Sequence, residues 1–95
     1  MVELRPGQLV RSLAGRDKGK HYLVLRELDP VYVLLTDGRS RPVSRPKKKN
    51  RAHLQHYERG IDLDKEHEID NLNDSQVIRY LKELMPATGV PEEEV

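Results

Sequence analysis

No cysteine, no phenylalanine and no tryptophan occur in this chain of 95 residues, and four tyrosines are its whole stock of large aromatic rings. Without cysteine there is no disulfide framework, no thiolate metal site and no cysteine nucleophile, and a small chain without such staples suits a reducing compartment. The expected location is therefore the cytoplasm. Long apolar runs are also missing: nothing approaches the roughly 18 residues of a membrane span. The start, Met1-Val2-Glu3-Leu4-Arg5-Pro6-Gly7, has no apolar signal region, so neither membrane insertion nor export is expected. Ala, Val, Ile, Leu, Met and Gly make up only 36 of the 95 residues, so the core must be thin. Leu, Ile and Val still total 25, above the level of about one fifth at which wholesale disorder is the better expectation. One small domain with an appendage fits this length, and an enzyme with its own enclosed cleft does not.

Charge is abundant and unevenly placed. Residues 1–59 carry 14 basic and 6 acidic side chains, net +8, whereas residues 60–95 carry 3 and 10, net −7. The first part has the sign that attracts polyanions, and the second does not.

Apolar runs broken by turn residues predict a small all-β unit. Leu9 to Leu13, His21 to Leu28 and Val31 to Thr36 read as strands, with Asp29-Pro30 breaking the second from the third to make a hairpin. Asp37-Gly38 reads as a tight turn and Arg39 to Ser44 as the return strand, with Pro42 placing it at an edge. Four short strands cannot bury two flat sheets, so a small barrel is expected, closed by a segment near His53 to Tyr57. The run from Arg45 to Arg51, RPKKKNR, is too dense in like charge to pack and reads as an exposed basic arm.

The remainder is different in kind. Residues 59–72 read as an acidic linker. Asn73 as N-cap, Asp74 at the positive end of the helix dipole, Gln76 in the capping-box position and Leu72 with Val77 as a hydrophobic staple predict a helix over 73–86, stopped by Pro86. Val77, Ile78, Leu81, Leu84 and Met85 form its apolar stripe. So short a helix is marginal alone in water and must dock, on the barrel in the first instance or on a protein partner. Residues 87–95 read as a frayed acidic tail.

Between the first two strands lies Gly15-Arg16-Asp17-Lys18-Gly19-Lys20. Its glycines permit positive φ and close approach with exposed amides, and its cations suit phosphate oxygens. It is neither a Walker loop nor a dinucleotide fingerprint. With its flanks, Gly7 to Lys20 resembles the KOW motif of SH3-like barrels in ribosomal proteins and transcription elongation factors. The continuation, Val31 to Gly38, Arg41-Pro42-Val43 and Pro46 to Leu54, is similar to the KOW group related to the eukaryotic and archaeal large-subunit ribosomal protein fourteen-e, whose bacterial members are small stand-alone RNA-binding proteins. The resemblance covers about Gly7 to Gln55. Two positions depart from the pattern: Tyr22 stands where many members have glycine, and Ser12 stands where an apolar residue is commoner.

The resemblance implies an SH3-like (KOW) β-barrel, set at residues 1–58, and contact with RNA, the ribosomal RNA of the large subunit foremost; the one C-terminal α-helix that completes this mainly β fold lies outside the resemblance. Four tyrosines offer little surface for stacking splayed bases, so structured RNA read through its phosphates is expected. The expected contacts are Arg16, Lys18, Gly19 through its backbone, Lys20, Lys47, Lys48, Lys49 and Arg51. Tyr22 is added as a stacking candidate, and Arg39 and Arg41 as neighbours on one side of the return strand. The loop and the arm should share one face. His53-x-x-His56 with His67, Asp62, Asp64 and Glu66 has zinc-ligand chemistry, but a strand would point His53 and His56 to opposite faces, so no metal is expected. Ser12, Ser40, Ser44 and Ser75 lack a visible base, so neither catalysis nor a cofactor is expected. A monomer is expected. The alternative is an SH3-like protein-interaction module, or an elongation-type factor acting through the helix 73–86.

Overall fold

The computed structural model describes residues 4–61, 63 and 71–85. Five antiparallel strands, β1 (Gln8–Ser12), β2 (His21–Glu27), β3 (Tyr32–Thr36), β4 (Lys47–Asn50) and β5 (Leu54–Gly60), form one sheet in the order β4-β3-β2-β1-β5, and one helix, α1 (Asp74–Leu84), follows. Strands β4 and β5 are the two edges, yet only a 3-10 helix, Arg51–His53, joins them. In a flat sheet these edges would lie four strand spacings apart, about 19 Å, whereas three residues of 3-10 helix advance about 6 Å. The sheet therefore curls into a small barrel-like fold. The joint is tied on both sides: the Arg51 amide donates to the Val31 carbonyl, and the Leu13 amide to the His53 carbonyl.

Strand β2 explains the curl energetically. Tyr22, Leu23, Val24 and Leu25 are all buried, so both of its faces are covered. Alternate residues serve two clusters. Val10, Tyr22, Val24, Val33, Leu35 and Leu54 fill the inside of the sheet with Leu4. Leu9, Leu23 and Leu25 look outward and meet Leu63, Leu72, Val77, Tyr80 and Leu81. At roughly 1.5–3 kcal/mol per buried large side chain, the outer cluster is ample to hold a helix that is marginal alone.

Helix α1 begins as expected. The Asn73 side chain accepts from the Gln76 amide, and the Gln76 side chain accepts from the Asn73 amide. It ends at Leu84, because a residue before proline is driven out of the helical region, and Met85 is extended, with ψ at 153°. The apolar face is turned slightly from the expected stripe: Val77, Tyr80 and Leu81 are buried, while Ile78 is half-buried and Met85 exposed. Its docking surface is the chain's own sheet.

Three expectations are corrected. Arg39 to Ser44 is not a strand. The Asp37 carboxylate accepts from the amides of Arg39 and Arg41 and from the Ser40 hydroxyl, which closes the chain on itself, and Pro42 and Pro46 supply no ladder donors. The return strand is instead the basic run: Lys47, Lys48 and Lys49 pair with Leu35, Leu34 and Val33. Lastly, residues 59–61 are not linker. Strand β5 runs to Gly60, and the Ile61 amide donates to the Gly7 carbonyl. Most of the acidic segment, with His67, and the tail 87–95 lie outside the described residues.

Candidate functional site

Antiparallel pairing places the β1–β2 loop, residues 13–20, and the β3–β4 loop, residues 37–46, at the same end of the sheet. Leu23 stands opposite Leu9 and also opposite Thr36. Both loops are built around a carboxylate, one bonded by the neighbouring strands and the other by its own loop.

In the first loop that group is Asp17, 7% exposed. Its Oδ1 accepts from Ser12 Oγ at 2.9 Å and Lys49 Nζ at 3.2 Å. Its Oδ2 accepts from the Tyr22 hydroxyl at 3.2 Å and lies 3.3 Å from Lys47 Nζ. Burial works against its charge, but the bonds from Ser12, Lys49 and Lys47 prevail and hold the carboxyl well below the usual range. The same burial, with Asp17 beside it, pushes the Tyr22 hydroxyl up to about 12. Loop amides are likewise engaged: Lys18 donates to the Gly15 carbonyl, Gly19 to Ser12 and Lys20 to Asp17. The glycines do take positive φ, 85° at Gly15 and 92° at Gly19, but the Gly19 amide is not an exposed donor.

In the second loop Asp37 plays that part. Burial opposes its charge, and the amides of Arg39 and Arg41 with the Ser40 hydroxyl outweigh it, so its carboxyl is also lowered. Helix α1 holds this loop in place. Asp74 Oδ1 accepts from the Val43 amide at 2.8 Å, and Gly38, with φ at 75°, comes so close that a Cβ there would lie 2.7 Å from the Asp74 carbonyl oxygen.

The expected contacts therefore divide. Arg16, Lys18 and Lys20 are exposed on the first loop, and Arg39 and Arg41 on the second, with Arg45 beside them. None of these six forms an ion pair among the described residues. The basic arm is dispersed. Lys47 and Lys49 turn inward to Asp17, with Lys49 also donating to the Ala14 carbonyl. Lys48 points the other way and lies 4.4 Å from the centre of the Tyr32 ring. Arg51 sits near the β2–β3 turn, bonded to Glu27 Oε2 at 2.6 Å. Of the arm, Lys47 and Lys49 thus adjoin the first loop, and Lys48 and Arg51 do not. Tyr22 is 1% exposed and has no face for a base: it is a barrel-wall residue, correcting the stacking expectation. His53 and His56 are exposed on the 3-10 helix and β5.

Sequence reasoning passed over Asp17, because one acid among cations looks like a solvated counter-charge and its partners, Lys47 and Lys49, are some thirty residues away. Lys82 was also missed. It lines a groove with Lys20, Arg39, Ile78 and Met85, and its position four residues after Ile78 was the available signal.

Among the described residues no cluster of three or more His, Asp or Glu is placed to hold a metal ion, and no helix is long and apolar enough to cross a membrane. The chain matches no protein-family model and shows no significant similarity to a curated protein.

Proposed function

We propose that this chain is a non-catalytic, cytoplasmic RNA-binding protein of the KOW type, which grips structured RNA through phosphates, with large-subunit ribosomal RNA as the foremost target. One observation carries the reading. Two loops leave one end of the sheet bearing six cations without an ion pair among the described residues, while both acids of those loops are spent on internal bonds. With Asp17 paired to Lys47 and Lys49, the six cations face only the Asp37 carboxylate, and a surface with such an excess of positive charge is suited to a polyanion. The contact set is Arg16, Lys18, Lys20, Arg39, Arg41 and Arg45. Lys47, Lys49 and Gly19 shape the site, and Lys48 and Arg51 lie to the side.

The helix argues against the protein-module alternative, because the apolar face offered for a partner already covers Leu9, Leu23 and Leu25.

The test is co-sedimentation with ribosomal subunits at low and high salt, together with binding to a paired RNA measured across salt. Six phosphate contacts give a slope of log affinity against log salt of about −5. Replacing Arg16, Lys18 and Lys20 by Ala, or Arg39 and Arg41 by Ala, should each flatten that slope and release the protein from subunits. Protein that remains at the top of the gradient at both salts, with no affinity for the paired RNA, would refute the reading.

A further inference from the structure

Between the two cationic loops and α1 runs a groove of about 400 Å³, within the roughly 300–1,000 Å³ of small-ligand sites. One wall is made by α1 and by Met85 just past its end. Ile78 and Met85 belong to the apolar stripe but are not among the residues buried when α1 docks through Val77, Tyr80 and Leu81: Ile78 is half-buried beside Gly38 and Met85 is 36% exposed. Lys20, Arg39 and Lys82 come to the groove from three different elements, and none of them forms an ion pair among the described residues. The single acid of the lining, Asp37, keeps its charge, held by two amides and the Ser40 hydroxyl, and three cations against it leave the groove net positive. His21 lines it too, with its Nε2 held 3.3 Å from the Tyr57 hydroxyl.

An apolar wall, an aromatic ring and a cationic rim are the three things an unpaired nucleotide offers partners for. Bases in loops and bulges stack on rings and apolar side chains, while their phosphates seek cations. We propose that this groove holds one unstacked nucleotide of the bound RNA, its base on Ile78 and Met85 beside His21 and its flanking phosphates on Lys20, Arg39 and Lys82. This rests on the RNA-binding reading above and adds a subsite that tells an unpaired position from a paired one. Two features favour RNA over an acidic peptide. Gly19 and Lys20 line the groove and also belong to the phosphate-binding loop, so the two surfaces are continuous. The volume suits one ring system rather than a helix or a strand.

The experiment compares the full chain binding an unbroken 16-base-pair RNA duplex with four duplexes that carry one bulged A, C, G or U. At least one bulged duplex should bind about tenfold more tightly, the scale of one stacked base. The Ile78→Ser/Met85→Ser variant should lose that preference while keeping its affinity for the unbroken duplex, which also shows that it folds. Lys82→Gln, at an exposed position, should weaken the bulged complex a few-fold and the unbroken one not at all. Equal binding of all five duplexes, or a preference that survives the double variant, overturns the subsite and leaves phosphate binding standing. No binding to any duplex overturns both readings. A Glu-rich decapeptide that binds the wild type but not the double variant, with no bulge preference, would assign the groove to a protein and overturn the proposal.

Discussion

Asp17 decides more of this site than any cation does. It is a buried carboxylate whose charge is held by a serine hydroxyl and two lysines and which also accepts from the Tyr22 hydroxyl. Removing its charge strands two ammonium groups, and breaking such a cluster costs about 2–4 kcal/mol where one lysine is still partly wet. Asp17→Asn should therefore unfold at clearly lower urea at pH 7. The pH dependence has a definite sign. The folded carboxyl titrates below its unfolded value of about 3.9, so its contribution is complete above about pH 5 and is lost as pH falls through the acid range. The gap between wild type and Asp17→Asn should accordingly narrow below about pH 4, and a constant gap from pH 7 to pH 2 would contradict the network. Tyr22→Phe keeps the ring and removes one hydrogen bond, a loss of about 1 kcal/mol. Its RNA affinity should stay within twofold of wild type, whereas a tenfold loss in an anisotropy titration would restore Tyr22 as a contact.

Elements differ in how far their physics is local. Strands β1, β2 and β3 were legible because their apolar content reports burial, and β2 reads as an unbroken apolar run because both of its faces are covered; β5, in which only Leu54 is buried, was expected near His53 to Tyr57 only because a barrel needs closing. Strand β4 was not. Three lysines and an asparagine have no strand signature of their own, and they become one because β3 offers an open ladder and Asp17 takes two of the ammonium groups. The first loop was legible as glycine-permitted and cationic, and its buried acid was not. The capping box of α1 was legible to the residue, since caps are local chemistry. Its rotation was not, since Tyr80 rather than Met85 faces the sheet for reasons of packing. Glycine supplies the contrast that tests the docking of α1. Gly19 has a positive φ and open space where a Cβ would stand, with no atom within 4 Å, so Gly19→Ala should cost about 1 kcal/mol of backbone strain. Gly38→Ala adds a clash with the helix backbone and should cost about 3 kcal/mol. At about 4–8 °C per kcal/mol for a domain of this size, calorimetry resolves the two. Because the helix holds the loop of Arg39 and Arg41, Gly38→Ala should also weaken RNA binding at temperatures where the domain remains folded.

Across the whole molecule, the near-cancelling charge hides an asymmetry that the fold sharpens by neutralising some cations and not others. The connectivity also bears on how the structure is reached. Arg11 meets His21 across a short loop, whereas Ser12 meets Leu54 only after some forty residues have been brought round. Closing the longer loop costs about 1 kcal/mol more chain entropy, a several-fold penalty in rate if it is met in the transition state. The hairpins that carry the cationic loops are therefore the early-forming part of the chain. The seam between β1 and β5 should then close after them.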